Sequence, residues 1–229
     1  MNVIEIFTAS PFFGICLSVF AFEVGVMLNK KLKTPIANPL FIAVALIILI
    51  LTMLDIPFET FNNGGAMITM FLGPATASLA MNIYAQLEQL KKRLVPILAG
   101  ALVGSVTSIG CILLLTKLFG LDEAMTASLI PKSVTTPIAM GVSQQLGGIV
   151  PVTVAAVVFT GIIGAVFSPV FIKLFRVKDP VAAGLAIGVS SHALGTTKAL
   201  EIGEVEGAMS GIAIGIAGLI TVILAQFLV

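Results

Sequence analysis

Hydrophobic residues along this chain fall into long runs separated by short polar connections. Six of the runs predict membrane-spanning helices, because about 20 apolar residues at a rise of about 1.5 Å each cross a hydrocarbon layer about 30 Å thick. These runs cover about residues 11–28, 36–54, 64–84, 94–119, 149–175 and 207–229. The pattern therefore predicts an all-α, polytopic membrane protein.

Two further stretches, at about residues 122–148 and 180–206, are apolar at both ends and polar in the middle. The first break, Pro131–Pro137, holds two prolines, and proline disrupts a helix because it lacks an N–H group and clashes one turn back. The second break, Ser190–Lys198, contains Gly195, which permits a tight turn. We expect broken helices that either cross the membrane or fold back as re-entrant hairpins, covered by protein or lining a wet cavity.

Loop charges favour the re-entrant alternative. Basic residues cluster in the connections at residues 30–33, 91–93 and 173–178. Basic loops tend to lie in the cytoplasm. All three loops can be cytoplasmic only if the stretch at 122–148 dips into the membrane and returns. The second stretch then opens from the cytoplasm, so two hairpins enter from opposite faces, and both termini lie outside.

The predicted organisation is a single integral membrane domain over residues 1–229. Scaffold-like helices cover about residues 1–121, and two inverted-repeat transport units cover about residues 122–178 and 179–229. Thr76, Thr136 and Thr197 recur at similar intervals, each after a helix-breaking patch. Chance similarity in a chain rich in small residues also explains such a weak repeat, so the shared break carries the prediction.

The first break offers a candidate anion site. A half-helix with Pro137 in its first turn and Thr135 or Thr136 as its cap would expose free N–H groups that attract a carboxylate. Lys132 would add a full positive charge, and Ser133 another hydroxyl. The alternative is a kinked helix whose Lys132 reaches out to the membrane surface.

The second break offers a set of hydroxyl groups and a group that can exchange a proton. His192 is the one histidine of the chain. Histidine titrates near neutral pH. The predicted substrate-binding residues here are Ser191, His192, Gly195, Thr196 and Thr197. The alternative is an ordinary loop between two short spans, in which His192 is incidental.

Two other polar positions are weaker candidates. Thr76 follows Gly73-Pro74 in the third apolar run, where a simple proline kink is an equal alternative. Glu23 lies well inside the first run, where a carboxyl group is protonated, paired or hydrated. It is a candidate for proton coupling, together with His192, or a structural partner.

Composition excludes several classes of protein. The chain is 58% hydrophobic and 10% charged. Soluble domains carry far more charge, at about 25% of their residues. A net charge of +1 gives no electrostatic case for nucleic acid. Cys16 and Cys111 lie in apolar runs and are expected to be core residues rather than a disulfide. Nothing resembles a catalytic, metal-binding or cofactor motif, so we expect neither an enzyme nor a cofactor.

At three motifs the chain resembles the LrgB/CidB family of bacterial inner-membrane proteins. The motifs are Phe71–Thr76, Pro131–Ala139 with its Pro-Lys-Ser-Val-Thr-Thr-Pro run, and Ser191–Thr196 with its Ser-His-x-x-Gly-Thr pattern. The resemblance covers essentially the whole chain. It implies a multi-pass protein of the bacterial inner membrane.

The family brings two functional expectations. One is an antiholin-like or holin-like regulator of murein hydrolase export and autolysis, acting with a small LrgA/CidA-type membrane partner. The other follows from a plastid relative that translocates glycolate and glycerate, and from links of bacterial members to pyruvate uptake. The polar breaks favour the second, an alternating-access carrier for small monocarboxylates of the glycolate, glycerate, pyruvate or lactate class. The substrate, coupling ion, any homo-oligomer and the need for the small partner stay open.

Overall fold

Helices make up all the regular structure in the described part of the chain. The computed structural model describes residues 8, 10–32, 39–71, 74, 77, 84, 88, 91 and 93–228. Contacts divide the chain into two compact units, Met1–Ala75 and Thr76–Val229. Each unit is described by itself.

The first unit contains three described helices: α1 (Phe12–Leu32), α2 (Pro39–Met53) and α3 (Phe58–Thr69). Small residues let helices approach closely. Gly14 of α1 accordingly lies against the backbone of α3 at Gly64. The helix α3 begins six residues before the predicted third span. Glu59 lies in the first turn of this helix, whereas Thr76 lies outside the described residues.

The second unit contains six described helices: α4 (Leu94–Leu118), α5 (Glu123–Leu129), α6 (Thr136–Gln145), α7 (Val150–Leu174), α8 (Pro180–Ile202) and α9 (Glu204–Ala225). Among the described residues, α1, α4, α7 and α9 are long and apolar enough to cross a membrane. The apolar core of the unit lies where α4, α8 and α9 meet, around Ile97, Val189 and Ile212.

The first broken stretch folds back on itself as a hairpin. Its two arms, α5 and α6, are short helices of 7 and 10 residues. Neither arm is long enough to cross a bilayer. The backbone N–H of Ile149, just after α6, donates to Ser128 Oγ at 2.7 Å, so the chain returns to the level of α5. Asp122 caps the first arm by accepting from Met125 N, and Pro137 lies in the first turn of the second.

The second broken stretch also folds back on itself. Backbone torsions in α8 are helical except at His192, where φ is 42° and ψ is −140°. The first arm runs beside α9, because Gly188 lies against Ser210. The second arm returns to the start of α9, where Leu200 packs on Gly207. The turn therefore falls at His192 and not at Gly195, which was the expected turn residue.

The two hairpins enter the second unit from opposite ends. At one end an ion pair of 3.6 Å between Arg93 and Asp179 joins the starts of α4 and α8. At the other end Lys117, Glu123 and Leu228 line one pocket. The all-α fold with two broken hairpins is thus confirmed. Their re-entry into the membrane and their inverted-repeat relation stay predictions. The cytoplasmic assignment of the basic end, and the transport role of residues 122–178 and 179–229, stay predictions.

Candidate functional site

The tips of the two hairpins meet at one residue of α7. Val134, at the first tip, lies in one buried apolar cluster with Ala139 and Val157. The ring Nε2 of His192, at the second tip, lies 2.9 Å from the carbonyl oxygen of Val157. His192 reaches this position because Gly161 has no side chain, and a Cβ there would come within 2.6 Å of its ring. The candidate site is therefore built where both breaks adjoin α7.

Lys132 supplies positive charge at this place. Its Nζ donates to Ser133 Oγ at 3.2 Å, and Ser133 Oγ lies 2.9 Å from Ser108 Oγ on α4. The lysine is partly buried. Ion pairs among the described residues are Arg93–Asp179 and Lys198–Glu201, so Lys132 has no acidic partner there. Its charge is available to an anion.

The start of α6 adds hydrogen-bond donors beside Lys132. Thr135 holds the cap position, and its carbonyl accepts the first helical bond from Ala139 N at 2.9 Å. The first N–H groups of a helix have no partner within it, and they carry a partial positive charge. The Thr135 hydroxyl is buried and has no hydrogen-bond partner in the part of the chain that the structure describes. Thr136 follows, half-buried, as the first helical residue.

The predicted residues of the second hairpin divide into two groups. Ser191 and His192 are buried at the tip and reach α7. Gly195, Thr196 and Thr197 instead make contacts within α8 or with α9. Thr196 Oγ1 lies 2.7 Å from Ser210 Oγ, and the exposed Thr197 bonds the carbonyl of its own helix one turn back. Gly195 allows the arms to touch, since a Cβ there would lie 2.5 Å from that of Ser191. Substrate binding by these five residues stays a prediction.

Two predicted positions lie elsewhere. Glu23 is exposed on α1, in the first unit. Thr76 is outside the described residues. The proton-coupling role of Glu23 and the binding role of Thr76 stay predictions.

A small cavity beside the first tip was not predicted from the sequence. It has a volume of about 10 Å³, and its polar lining residues are Ser105, Ser108, Ser133 and Thr221. The Ser105 hydroxyl is buried without a hydrogen-bond partner among the described residues. The available sequence signal was the pair of serines three residues apart in the apolar helix α4, which places both on one helix face.

A larger pocket opens at the base of the first hairpin. Its volume is about 650 Å³, and Lys117, Glu123, Thr126 and Gln145 contribute polar groups to it. Ile130 lines both this pocket and the small cavity, and it packs with Ile109 and Ile112 in a buried apolar cluster. The pocket therefore extends toward the tip of the first hairpin, from the end of the second unit that lies opposite Arg93. Within the described residues there is no cluster of potential metal ligands.

Comparison with known proteins identifies the same family by a family model and by individual relatives. The model of the LrgB-like family matches residues 18–229. Proteins named "Antiholin-like protein LrgB" from Bacillus mycoides (strain KBAB4), Bacillus cereus (strain B4264) and Bacillus anthracis (strain CDC 684 / NRRL 3495) are each 42% identical over 217 residues. That alignment covers 94% of this chain and 94% of each relative. No solved structure matches. The chain belongs to the LrgB-like family, and its long apolar helices are those of a multi-pass membrane protein.

Proposed function

We propose that this protein is a secondary transporter of small monocarboxylates in the bacterial inner membrane. The observation that carries the proposal is the meeting of two inverted broken hairpins at Val157, next to a lysine without an acidic partner among the described residues. Broken helices that meet near mid-membrane are typical of substrate sites in secondary carriers. A charge at that depth is costly unless it has a function or a partner.

Each part of the site has a chemical task in this proposal. Lys132 and the N–H groups at the start of α6 would bind the carboxylate, with Thr135 and Thr136 contributing hydroxyl groups. Access would alternate between the two ends of the second unit as the hairpins move. His192 or Glu23 would carry a coupled proton.

The second candidate is an antiholin-like regulator of murein hydrolase export and autolysis. The observation that favours it is the name of the relatives, which are 42% identical over almost the whole chain. These comparisons favour this candidate over transport. It would act with a small LrgA/CidA-type membrane partner, and it requires no site for a small anion.

Reconstitution of the purified protein without any partner tests the carrier. The protein is inserted into vesicles, and uptake of labelled glycolate and pyruvate is measured for wild type and for Lys132→Met. A charge-assisted hydrogen bond contributes about 1.5–3 kcal/mol. Its loss should weaken the apparent affinity about ten- to a hundredfold. Thr136→Val should weaken affinity less, because it removes one neutral group.

Ser18→Ala is the matched control. The Ser18 hydroxyl bonds the carbonyl of Gly14 in its own helix at 2.8 Å, so the variant should transport like wild type. A well-folded Lys132→Met protein with wild-type affinity would remove the anion site from the proposal. Absence of uptake by wild type, together with an altered rate of autolysis in cells that lack the chain, would favour the antiholin-like regulator.

A further inference from the structure

The small cavity beside Lys132 is lined by hydroxyl groups from three elements. Ser105 and Ser108 come from α4, Ser133 from the first hairpin tip and Thr221 from α9. Buried polar groups in proteins are almost always hydrogen-bonded, so an unpartnered one requires an explanation. Ser105 is 3% exposed, lines this cavity, and its hydroxyl has no partner in the described part of the chain.

The size and charge of the cavity restrict what it can hold. Its volume is about 10 Å³. Such a space has room for one water-sized group. Acidic residues are absent from its described lining, and Ser133 connects the lining to the ammonium group of Lys132 at 3.2 Å. A cation is therefore disfavoured. A single neutral oxygen that donates or accepts hydrogen bonds fits this lining.

We propose that Ser105 and Thr221 bind the oxygen on carbon 2 of the substrate, while Lys132 binds its carboxylate. In a 2-hydroxy or 2-oxo acid that oxygen is one carbon away from the carboxylate, which matches a hydroxyl cavity next to a charged site. The inference rests on the proposed transport function and adds which acids the carrier prefers, namely those with an oxygen on carbon 2. A site built to bond a hydroxyl group discriminates against an analogue that lacks it, because the polar groups of the site are then unpaired.

Competition between two acids of similar size measures this specificity. Uptake of labelled glycolate into vesicles is inhibited by unlabelled glycolate or by acetate, which lacks the oxygen on carbon 2. Wild type should prefer glycolate. Ser105→Ala should reduce the ratio of the two inhibition constants about three- to tenfold, as expected for loss of one neutral hydrogen bond.

Three further variants separate the role of Ser105 from other effects. Lys132→Met should weaken binding of both acids and leave their ratio unchanged. Thr221→Val, which keeps the side-chain shape on a different helix, should lower the ratio as Ser105→Ala does. Ser18→Ala should change neither quantity. If Ser105→Ala does not fold, the ratio measured for Thr221→Val tests the inference.

The outcomes distinguish the inference from the function on which it rests. If wild type takes up neither glycolate nor pyruvate, both fail. If it takes up pyruvate but not glycolate, the carrier stands, and the same competition is measured with labelled pyruvate. If wild type transports glycolate but does not prefer it over acetate, the specificity inference is wrong and the carrier stands. The same conclusion follows if the folded Ser105→Ala and Thr221→Val proteins both keep the wild-type ratio, or if Lys132→Met changes that ratio as much as they do.

Discussion

His192 combines an unfavourable backbone conformation with a specific side-chain contact. Its φ is 42° and its ψ is −140°. Glycine adopts this region readily and other residues rarely. Such a conformation costs about 1–3 kcal/mol and persists only where surrounding contacts enforce it. Here the ring bonds the carbonyl of Val157 and lies in the space left by Gly161. The side chain thus fixes the hairpin tip to α7 at the cost of backbone strain.

This strain predicts an unusual order of stability at position 192. His192→Gly and His192→Ala both remove the bond to Val157, but only glycine relieves the backbone. The glycine variant should be the more stable of the two by about 1 kcal/mol, measured by thermal unfolding in detergent. Ser190, two residues earlier in regular helix, is the control. At position 190 the alanine variant should be more stable than the glycine variant by about 0.5–1 kcal/mol. Alanine more stable at both positions would mean that the helix continues through His192.

At the scale of the elements, each hairpin is joined by hydroxyl groups to the helix that follows it. At the first hairpin Thr153 Oγ1 of α7 donates to Ser143 Oγ of α6 at 2.6 Å. At the second hairpin Thr196 of α8 lies 2.7 Å from Ser210 of α9. Ser143, Thr153 and Ser210 are fully buried. The two hairpins therefore use the same kind of contact, and each hairpin is expected to move together with its following helix.

A double-mutant cycle on the first of these contacts tests its energy. Ser143→Ala and Thr153→Val should show a coupling free energy of about 0.5–1.5 kcal/mol in unfolding measurements, since both groups are buried and share one bond. Ser143→Ala combined with Thr196→Val should be additive, because those residues share no partner. Additivity of the first pair would show that the hydroxyl contact does not hold α6 to α7.

The sequence predicted that two helices are broken better than it predicted the residue at which the second one turns. Pro131 and Pro137 predicted both the end of α5 and the start of α6. The restriction that proline imposes is local and independent of tertiary structure. The second turn was expected at Gly195 and falls at His192, where a tertiary contact with α7 overrides local preference. Gly195 serves close packing of the two arms instead, a role that depends on their tertiary arrangement.

The site as a whole was only partly predictable for a related reason. Lys132, Ser133 and Thr135 were predicted as site residues because polar residues inside an apolar run are conspicuous. Ser105 was missed, because a single serine in an apolar helix is a common packing residue. Its place in the lining of the small cavity depends on which helix face meets the hairpin tip, and only the three-dimensional fold shows that.

At the scale of the whole molecule, the inverted arrangement makes a prediction about sidedness. The ion pair Arg93–Asp179 marks one end of the second unit, and the pocket with Glu123 marks the other. The basic residues near Arg176 then lie at the end marked by Asp179, and basic ends favour the cytoplasm. The base of the first hairpin should consequently face outward.

Cysteine labelling in intact cells checks this arrangement. In a background in which Cys16 and Cys111 are replaced by alanine, Glu123→Cys should react with an impermeant thiol reagent added outside. Lys178→Cys should react only after the membrane is permeabilised, because the first hairpin returns and α7 then crosses once between the two positions. The permeabilised sample is the control for intrinsic reactivity. Labelling of both positions from outside would mean that the first broken stretch crosses the membrane, and the inverted hairpins would then be wrong.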